Sequence, residues 1–375
     1  MHAQRLDPRT PLGAAARAAS ARELAKRAAS GPMAAATVAL GKTAGTFITF
    51  DAPGGCQTPA SFPGCTTPVA INPRGEILGY NVDANGLAHA FLRDSSGAFT
   101  SFDVTGAVLY TNVFSVGPPG SSINPSGEAT GGYFDANGLE HGFVRDSRGA
   151  ITTFDPPGAV NGTVPLSINA VGEVTGYYFD ANFLFRGFFR DAKGNMTDFD
   201  PPGFGCFGTG PNAINAAGII VGSYTDSACN SHGFVRERNG AITVIDVPNS
   251  LETFLITVNE GGQIAGNVVG ASGGNGFIRD TNGVFTFFNV PDVRDFGPMN
   301  LNAPGVVVGS YLDDNLVSHS FLRTPDGTLT IIDVPGAGTG FLDGTYASSI
   351  NAAGVITGDY SVAGANHGFL LLPQQ

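Results

Sequence analysis

The sequence predicts an all-β fold, a seven-bladed β-propeller with four antiparallel strands in each blade. Three observations lead to this prediction: a composition rich in turn-forming residues, one repeat that recurs seven times from Gly45 onward, and an N-terminal strand that completes the last repeat. A repeat that cannot bury its apolar face alone must stack against its neighbours. An open solenoid or two smaller β domains are the alternatives.

The composition suits a folded chain with many turns. The 375 residues include 54 Gly and 24 Pro, both of which disfavour helices. The 28 Phe and the 42% hydrophobic content are enough for a sizeable core. We therefore expect short strands rather than helices or a disordered polymer.

The repeat spans four short runs rich in β-branched and aromatic residues, separated by turns. The turns read Asn-X-X-Gly (Asn124–Gly127), Asp-Ala-Asn-Gly (Asp83–Gly86) and Asp-X-X-Gly (Asp146–Gly149), which is typical of consecutive hairpins. The Gly that opens the fourth run is repeated at Gly45, Gly97, Gly149, Gly194, Gly240, Gly283 and Gly327. The intervals of 52, 52, 45, 46, 43 and 44 residues are those of propeller blades or slightly longer.

The two ends of the repeat region complement each other. The first copy begins with a fourth-type strand, Gly45–Asp51, and the last copy stops after its third-type strand, Asn366–Leu372. Pairing of these two strands would close the ring and remove an exposed edge. The predicted domain organisation is a flexible or leader-like segment, 1–44, followed by the propeller, 45–375.

Charge differs between these two parts. Residues 45–375 hold 12 basic and 29 acidic residues, a net charge of −17. Such a surface repels phosphate backbones, so we expect no nucleic-acid partner. No apolar run reaches the ~20 residues of a membrane helix, so we expect a chain that does not span a membrane. We also expect a monomer.

The N-terminal segment has two interpretations. Lys26 and Arg27 precede the short apolar run Met33–Leu40, which resembles the n- and h-regions of a secretion signal. The other interpretation is a disordered or misassigned start.

Several recurrent residues are best explained by blade structure. A Gly inside the second strand needs close packing, for which the repeated Phe of the third strand is the candidate.

A His recurs at one position (His89, His141, His232, His319 and His367, with Arg186 and Asn275 in the other copies). Ring-related His residues lie too far apart for one metal ion, so no metal site is predicted. Counting from the turn places Phe154, not Asp155, opposite His141, so the sequence does not favour a His141–Asp155 pair.

The four cysteines form two local pairs. Cys56 and Cys65 share one loop, and Cys206 and Cys229 lie on connections that emerge on the same face of a blade. We expect disulfides 56–65 and 206–229 and an oxidising compartment, extracellular or periplasmic, with free buried thiols as the alternative.

One face carries the variable loops. From the end of strand four to the end of the next strand one, the connections measure 20, 20, 13, 14, 12, 12 and 17 residues, whereas the opposite face has short turns. Variable loops on a regular scaffold are where binding usually resides. The aromatic residues of these loops have two interpretations. They rim the channel mouth as a platform for a glycan, peptide or protein ligand, or they form a hydrophobic plug beneath the loops. The residues are Tyr110, Phe114, Phe204, Phe207, Phe254, Phe296, Phe341 and Tyr346.

Carboxylates on the same face allow a second hypothesis, a polysaccharide lyase or glycoside hydrolase. A hydrolase needs two carboxyl groups ~5–10 Å apart. The candidates are Asp83, Asp135, Asp180, Asp226, Asp313 and Asp343. The Asp-Ala-Asn-Gly turns lack the acidic residue of an EF-hand, so we predict hairpin turns and no cofactor, with weak Ca²⁺ binding left open.

The segment His89-Ala90-Phe91 and its His-Gly-Phe and His-Ser-Phe relatives resemble the signature of the bacterial HAF extracellular repeat family. The resemblance covers residues 45–375 and implies an exported repeat protein, with no catalytic residues to carry over. Together these observations favour a secreted or cell-surface binding propeller that uses its long-loop face.

Overall fold

The structure is a computed structural model that describes residues 40–41, 45–54, 65–107, 111–112, 121–270, 273–290 and 293–374. Within these ranges the regular elements are β-strands, β1 to β29, and no helix occurs. Antiparallel pairing groups β2 to β29 of the described chain into seven units of four strands. The all-β, antiparallel character predicted from the sequence is confirmed.

The strand bounds follow in unit order. Unit 1 contains β3 (Thr66–Ile71), β4 (Ile77–Val82), β5 (Ala88–Arg93) and β6 (Phe99–Phe102). Unit 2 contains β7 (Thr111–Asn112), β8 (Ala129–Phe134), β9 (Glu140–Arg145) and β10 (Ile151–Phe154). Unit 3 contains β11 (Thr163–Ile168), β12 (Val174–Phe179), β13 (Phe185–Arg190) and β14 (Met196–Phe199). Unit 4 contains β15 (Phe204–Ile214), β16 (Ile220–Asp226), β17 (Ser231–Arg236) and β18 (Ile242–Ile245).

The remaining strands form the last three units. Unit 5 contains β19 (Glu252–Val258), β20 (Ile264–Gly270), β21 (Gly273–Arg279) and β22 (Phe285–Phe288). Unit 6 contains β23 (Arg294–Leu301), β24 (Val307–Leu312), β25 (Ser318–Arg323) and β26 (Leu329–Ile332). Unit 7 contains β27 (Gly344–Ile350), β28 (Ile356–Val362), β29 (Ala365–Pro373) and, from the other end of the sequence, β2 (Gly45–Phe50).

Strand β2 pairs antiparallel with β29, with Gly45 opposite Pro373 and Phe50 opposite Gly368. This is the terminal pairing that the sequence predicts. A two-residue strand, β1 (Leu40–Gly41), lies before the predicted boundary at residue 45 and runs parallel to β26.

The seven repeated phenylalanines of the third strands form the centre of the core. Each is 0% exposed: Phe91, Phe143, Phe188, Phe234, Phe277, Phe321 and Phe369. The glycines of the second strands make room for them, since a Cβ on Gly79 would lie 2.5 Å from the Phe91 ring and 2.6 Å from the Thr67 carbonyl. The predicted Gly–Phe packing is confirmed. The backbone carbonyl of strand one also leaves no space for a Cβ at this position of strand two.

The repeated Asn after each first strand links neighbouring units. Its Oδ1 accepts backbone N–H groups of the following turn, as Asn72 does from Arg74 and Glu76, both at 3.0 Å. Its Nδ2 donates to the backbone carbonyl of the next repeated Asn at 3.0–3.2 Å. These bonds form one cycle that returns to its start: Asn72, Asn124, Asn169, Asn215, Asn259, Asn302, Asn351 and again Asn72.

A threonine near the start of strand one forms a hydrogen bond with the end of the preceding fourth strand. Where that strand's terminal Asp is followed by a residue with an N–H, the N–H donates to the threonine, as from Val247 to Thr253 at 3.0 Å. Proline has no N–H. After Asp200, which precedes Pro201, the Thr209 hydroxyl instead donates to the Asp200 carboxylate at 2.6 Å.

Candidate functional site

The turn carboxylates predicted as ligand-binding or catalytic residues accept hydrogen bonds from the backbone of their own hairpins. In each case one oxygen accepts two backbone N–H groups of the turn, as Asp83 does from Asn85 and Leu87. The same pattern holds at Asp135, Asp180, Asp226 and Asp313. Their second oxygens lie 3.3–3.8 Å from the His or Arg that follows in the same unit.

These bonds favour the ionised form of four of the turn carboxylates. Backbone N–H donors hold the pKa of Asp83, Asp135 and Asp313 below its usual range and that of Asp226 at about 2. Among the described residues, the hydrogen bonds of these carboxylates stay within single units. Their role in ligand binding remains a prediction.

The register prediction for His141 is wrong. Ile151 pairs with Arg145 and Phe154 with Gly142, so Asp155 lies beside His141, and its carboxylate is 2.7 Å from Nδ1. The turn holds one residue more than a symmetric count allows because Gly149, at φ 96°, forms a bulge. The same contact recurs as His89–Asp103, His232–Asp246, His319–Asp333 and His367–Asp51.

Four of these histidines, His89, His141, His232 and His319, lie between two carboxylates, the second being that of the preceding turn Asp. Partial burial alone would lower the pKa of His89 and His232, but the flanking carboxylates outweigh it and raise the pKa of both. At His319 the hydrogen bond that the imidazole donates to Asp333 is the largest cause of a raised pKa. At His89, His232 and His319 the neighbouring carboxylates therefore favour the protonated imidazole.

The predicted disulfide Cys206–Cys229 is present, with a Cα–Cα distance of 5.3 Å. Cys229 occupies the turn position that Gly86 and Gly138 fill in units 1 and 2, and it adopts φ 64°. Cys65 is also disulfide-bonded, while its predicted partner Cys56 lies outside the described residues. Bonded cysteines are compatible with an oxidising compartment.

The predicted loop aromatics do not form one cluster. Phe296 is 7% exposed and stacks on Phe321 at 4.8 Å, as the plug interpretation expects. Phe204 lies over the Arg186 guanidinium at 4.6 Å, and Phe207 and Phe254 are half-buried. Phe341 is 71% exposed. Tyr110 and Phe114 lie outside the described residues.

The loop that carries Phe341 is fixed in place. Asp343, a predicted catalytic candidate, instead accepts the N–H groups of Ala363 and Gly364 at 3.2 and 3.0 Å. Leu342 donates its N–H to the Leu316 carbonyl in the preceding unit at 2.9 Å. The loop is thus tied to second-to-third-strand turns of units 6 and 7, and it presents an exposed aromatic ring.

Beside this loop lies a small cavity of about 20 Å³ between units 6 and 7. It is lined by Leu312, Ser318, Leu342, Gly344, Tyr346, Asp359 and Ser361. Asp359 is 3% exposed, lies directly across the sheet from Tyr346, and accepts a hydrogen bond from Asn366 Nδ2 at 3.0 Å. Burial raises the pKa of Asp359 to about 7. We call Phe341, Tyr346, Asp359 and Asn366 the unit 6–7 site.

A second carboxyl group with a raised pKa lies in unit 2. Burial raises the pKa of Glu140 to about 8, and its carboxylate packs so closely on Gly132 that a Cβ there would lie 2.5 Å from Oε1. Tyr177 lies near enough for its pKa to be raised further by Glu140, after burial itself.

Sequence reasoning missed both Asp359 and Glu140, although a signal existed. Asp359 is the only charged residue directly after the strand-two glycine in the seven copies. Glu140 is likewise the only charged residue directly before the repeated His position. A departure from the repeat consensus at an inward position marks each of them.

Comparison with known proteins supports the fold alone. No model of a protein family matches the chain, and no curated protein matches it. Among solved structures, virginiamycin B lyase from Staphylococcus aureus has a TM-score of 0.56 at 13% identity, covering 87% of this chain and 99% of that one. A streptogramin B lyase has a TM-score of 0.52 at 15% identity, covering 87% and 97%.

A prolyl endopeptidase structure is also similar, with a TM-score of 0.54 at 11% identity over 84% of this chain and 51% of that chain. These likenesses define the class: the chain has a β-propeller-like all-β fold.

Within the described residues no group of three or more His, Cys, Asp or Glu side chains is arranged to hold a metal ion. In the same part of the chain, no helix has the length and apolarity needed to cross a membrane.

Proposed function

We propose that this chain is a closed seven-bladed propeller that acts as a monomeric binding module outside the cytoplasm, with its ligand at the unit 6–7 site. The cycle of seven Asn hydrogen bonds and the β2–β29 pairing support the closed ring. The Cys206–Cys229 disulfide supports an extracellular or periplasmic location. The proposal keeps the resemblance to HAF repeats as its family hypothesis.

One observation carries the choice of site. Phe341 is 71% exposed on a loop that hydrogen bonds fix, and the next residue, Leu342, lines a cavity whose polar wall is Asp359 and Tyr346. Fixed loops with an exposed aromatic ring reduce the entropy cost of binding. The other predicted aromatics that the structure describes are half-buried or buried.

A glycan and peptide array probed with the purified full chain tests the proposal. We expect at least one ligand class to bind, and Phe341→Ala to weaken that binding at least tenfold. Phe287→Ala is the matched control, because Phe287 is an exposed ring, 38% exposed, on an outer strand. No binding to the array, or equal losses in both variants, would contradict the proposed site.

The enzymatic alternative, a polysaccharide lyase or glycoside hydrolase, has one specific observation in its favour. A carboxyl group with a pKa of about 7, as at Asp359, suits a general acid near neutral pH. Its test is release of reducing or unsaturated ends from array-positive glycans. Loss of that release in Asp359→Asn, with binding retained, would favour the enzyme over the binding module.

A further inference from the structure

We propose that His319 regulates the unit 6–7 site as a pH-sensitive clamp on the loop that carries Phe341, here called the Phe341 loop. Protonation of the imidazole holds this loop in place, and deprotonation loosens it. The inference concerns regulation, and it rests on the proposed function only in taking the same site as the ligand site.

His319 connects two parts of unit 6. Its Nδ1 lies 3.0 Å from the carboxylate of Asp333, which follows the fourth strand. Its Nε2 lies 3.8 Å from the carboxylate of Asp313 in the second-to-third-strand turn, residues 313–317, which we call the unit 6 turn. The Tyr311 ring stacks on the imidazole, with centroids 5.2 Å apart. Among the described residues, these are the titratable side chains placed against His319.

The protonation state decides whether His319 holds both carboxylates. A protonated imidazole carries an N–H on each nitrogen, whereas the neutral ring carries only one. The shorter contact, to Asp333, keeps the remaining N–H, so deprotonation removes the attraction to Asp313. The hydrogen bond to Asp333 raises the pKa of His319, so the change takes place above the ordinary value of 6.5.

The Phe341 loop is attached to the part of unit 6 that the clamp holds. In the unit 6 turn, the Leu316 carbonyl accepts the N–H of Leu342 at 2.9 Å. Directly after the turn, the Ser318 N–H donates to the Asp343 carbonyl at 2.8 Å. A displacement of the unit 6 turn is therefore passed to the residue next to the exposed aromatic ring.

Both residues of the Leu316–Leu342 contact have strained backbones. Their φ angles are 62° and 60°, in the left-handed region that residues with a side chain rarely adopt. In units 1 and 2 the turn position of Leu316 is filled by Gly86 and Gly138. The unit 6 turn therefore depends on outside contacts to keep its conformation, and loss of one of them loosens the attached loop.

Unit 3 contains a version of the clamp that does not titrate. Arg186 occupies the histidine position there and contacts the two equivalent carboxylates, Asp200 at 2.9 Å and Asp180 at 3.7 Å. A guanidinium stays protonated throughout the pH range in which imidazole titrates. His319→Arg therefore makes the clamp permanent with a side chain that the repeat already accommodates.

A single tryptophan tests the clamp in the full chain without a ligand. The chain contains no Trp, so Phe341→Trp introduces a unique fluorophore whose quenching by acrylamide measures the exposure and mobility of the loop. We expect quenching to rise from pH 5.5 to pH 8.5, with a midpoint above 6.5, and His319→Arg to remove this rise. Asp359 titrates in the same pH range but is present in both chains, so the difference between them isolates His319.

His232→Gln is the matched control. His232 makes the same two contacts in unit 4, at 3.0 and 3.3 Å, so its loss should leave the response of the tryptophan unchanged. Quenching that does not depend on pH would overturn the inference. A response of equal size after His319→Arg, or one that His232→Gln also abolishes, would overturn it as well.

The same variants apply to any ligand found on the array. We expect its affinity to fall about threefold more between pH 5.5 and pH 8.5 in the wild type than in His319→Arg, which is the size expected of one partly exposed ion pair. Equal falls would overturn the inference and leave the proposed function standing. An array without binding would contradict the proposed function, while the tryptophan measurement would still test the clamp.

Discussion

At the scale of single residues, identical chemistry serves different purposes according to its place in the repeat. Backbone N–H groups that donate to the Asp83 carboxylate lower its pKa, whereas burial raises the pKa of Asp359 to about 7. The two environments shift the pKa of the same kind of group in opposite directions. The pH dependence of stability should separate them.

Asp359→Asn should stabilise the protein at high pH only. The raised pKa means that the stability contributed by the protonated group is present below about pH 4 and is lost as pH rises through about 7. The loss is at most roughly 4 kcal/mol, since each tenfold difference in proton affinity is worth about 1.4 kcal/mol. Urea unfolding at pH 4 and pH 8 measures it; an equal effect of the substitution at both pH values would contradict the assignment.

His319→Gln should lower the free energy of unfolding, and only at low pH. The raised pKa of His319 stabilises the fold below the unfolded value near 6.5, and this contribution disappears as pH rises through the folded value. The variant should therefore be less stable than the wild type at pH 5.5 and nearly equal to it at pH 8.5. Asp333→Asn is the matched control, because it removes the same ion pair from the other side.

At the scale of strands and turns, pattern reasoning succeeded where the chemistry is local. The turn types, the Gly–Phe packing and the Cys206–Cys229 pair follow from residues close in sequence or at one repeat position. The His141–Asp155 pair was missed because the bulge at Gly149 shifts the register by one residue, which a symmetric count of the turn ignores. The unit 6–7 site was missed because it joins a loop, two strands and a neighbouring unit.

Strand β2 should contribute to unit 7 as much as any internal fourth strand does. The Phe50 ring covers Gly368 with Arg93 above it at 4.7 Å, just as Phe154 covers Gly142 with Arg190 at 5.0 Å. We expect Phe50→Ala and Phe154→Ala to cost similar amounts, about 3 kcal/mol each. Chemical denaturation measures both, and a near-zero cost for Phe50→Ala alone would contradict docking of β2.

At the scale of the whole molecule, hydrogen bonds of the repeated Asn side chains join the seven units in one cycle. Each unit is joined to the next by an Asn side chain, and the last bond runs from Asn351 back to Asn72. Composition, period and the split terminal strands were enough to predict the all-β, propeller-like fold and the pairing of β2 with β29. The ligand is not predictable in the same way, because repeats encode the scaffold, while the proposed site depends on residues that depart from the repeat.

The proposed closure of this cycle by β2 is tested most directly by hydrogen exchange of the full chain, read by mass spectrometry at Gly45–Phe50. We expect these amides to exchange as slowly as those of Ile151–Phe154, because both strands hold the same place in a four-stranded unit. Exchange of Gly45–Phe50 at the rate of an unstructured segment, with Ile151–Phe154 still protected, would contradict the closed ring.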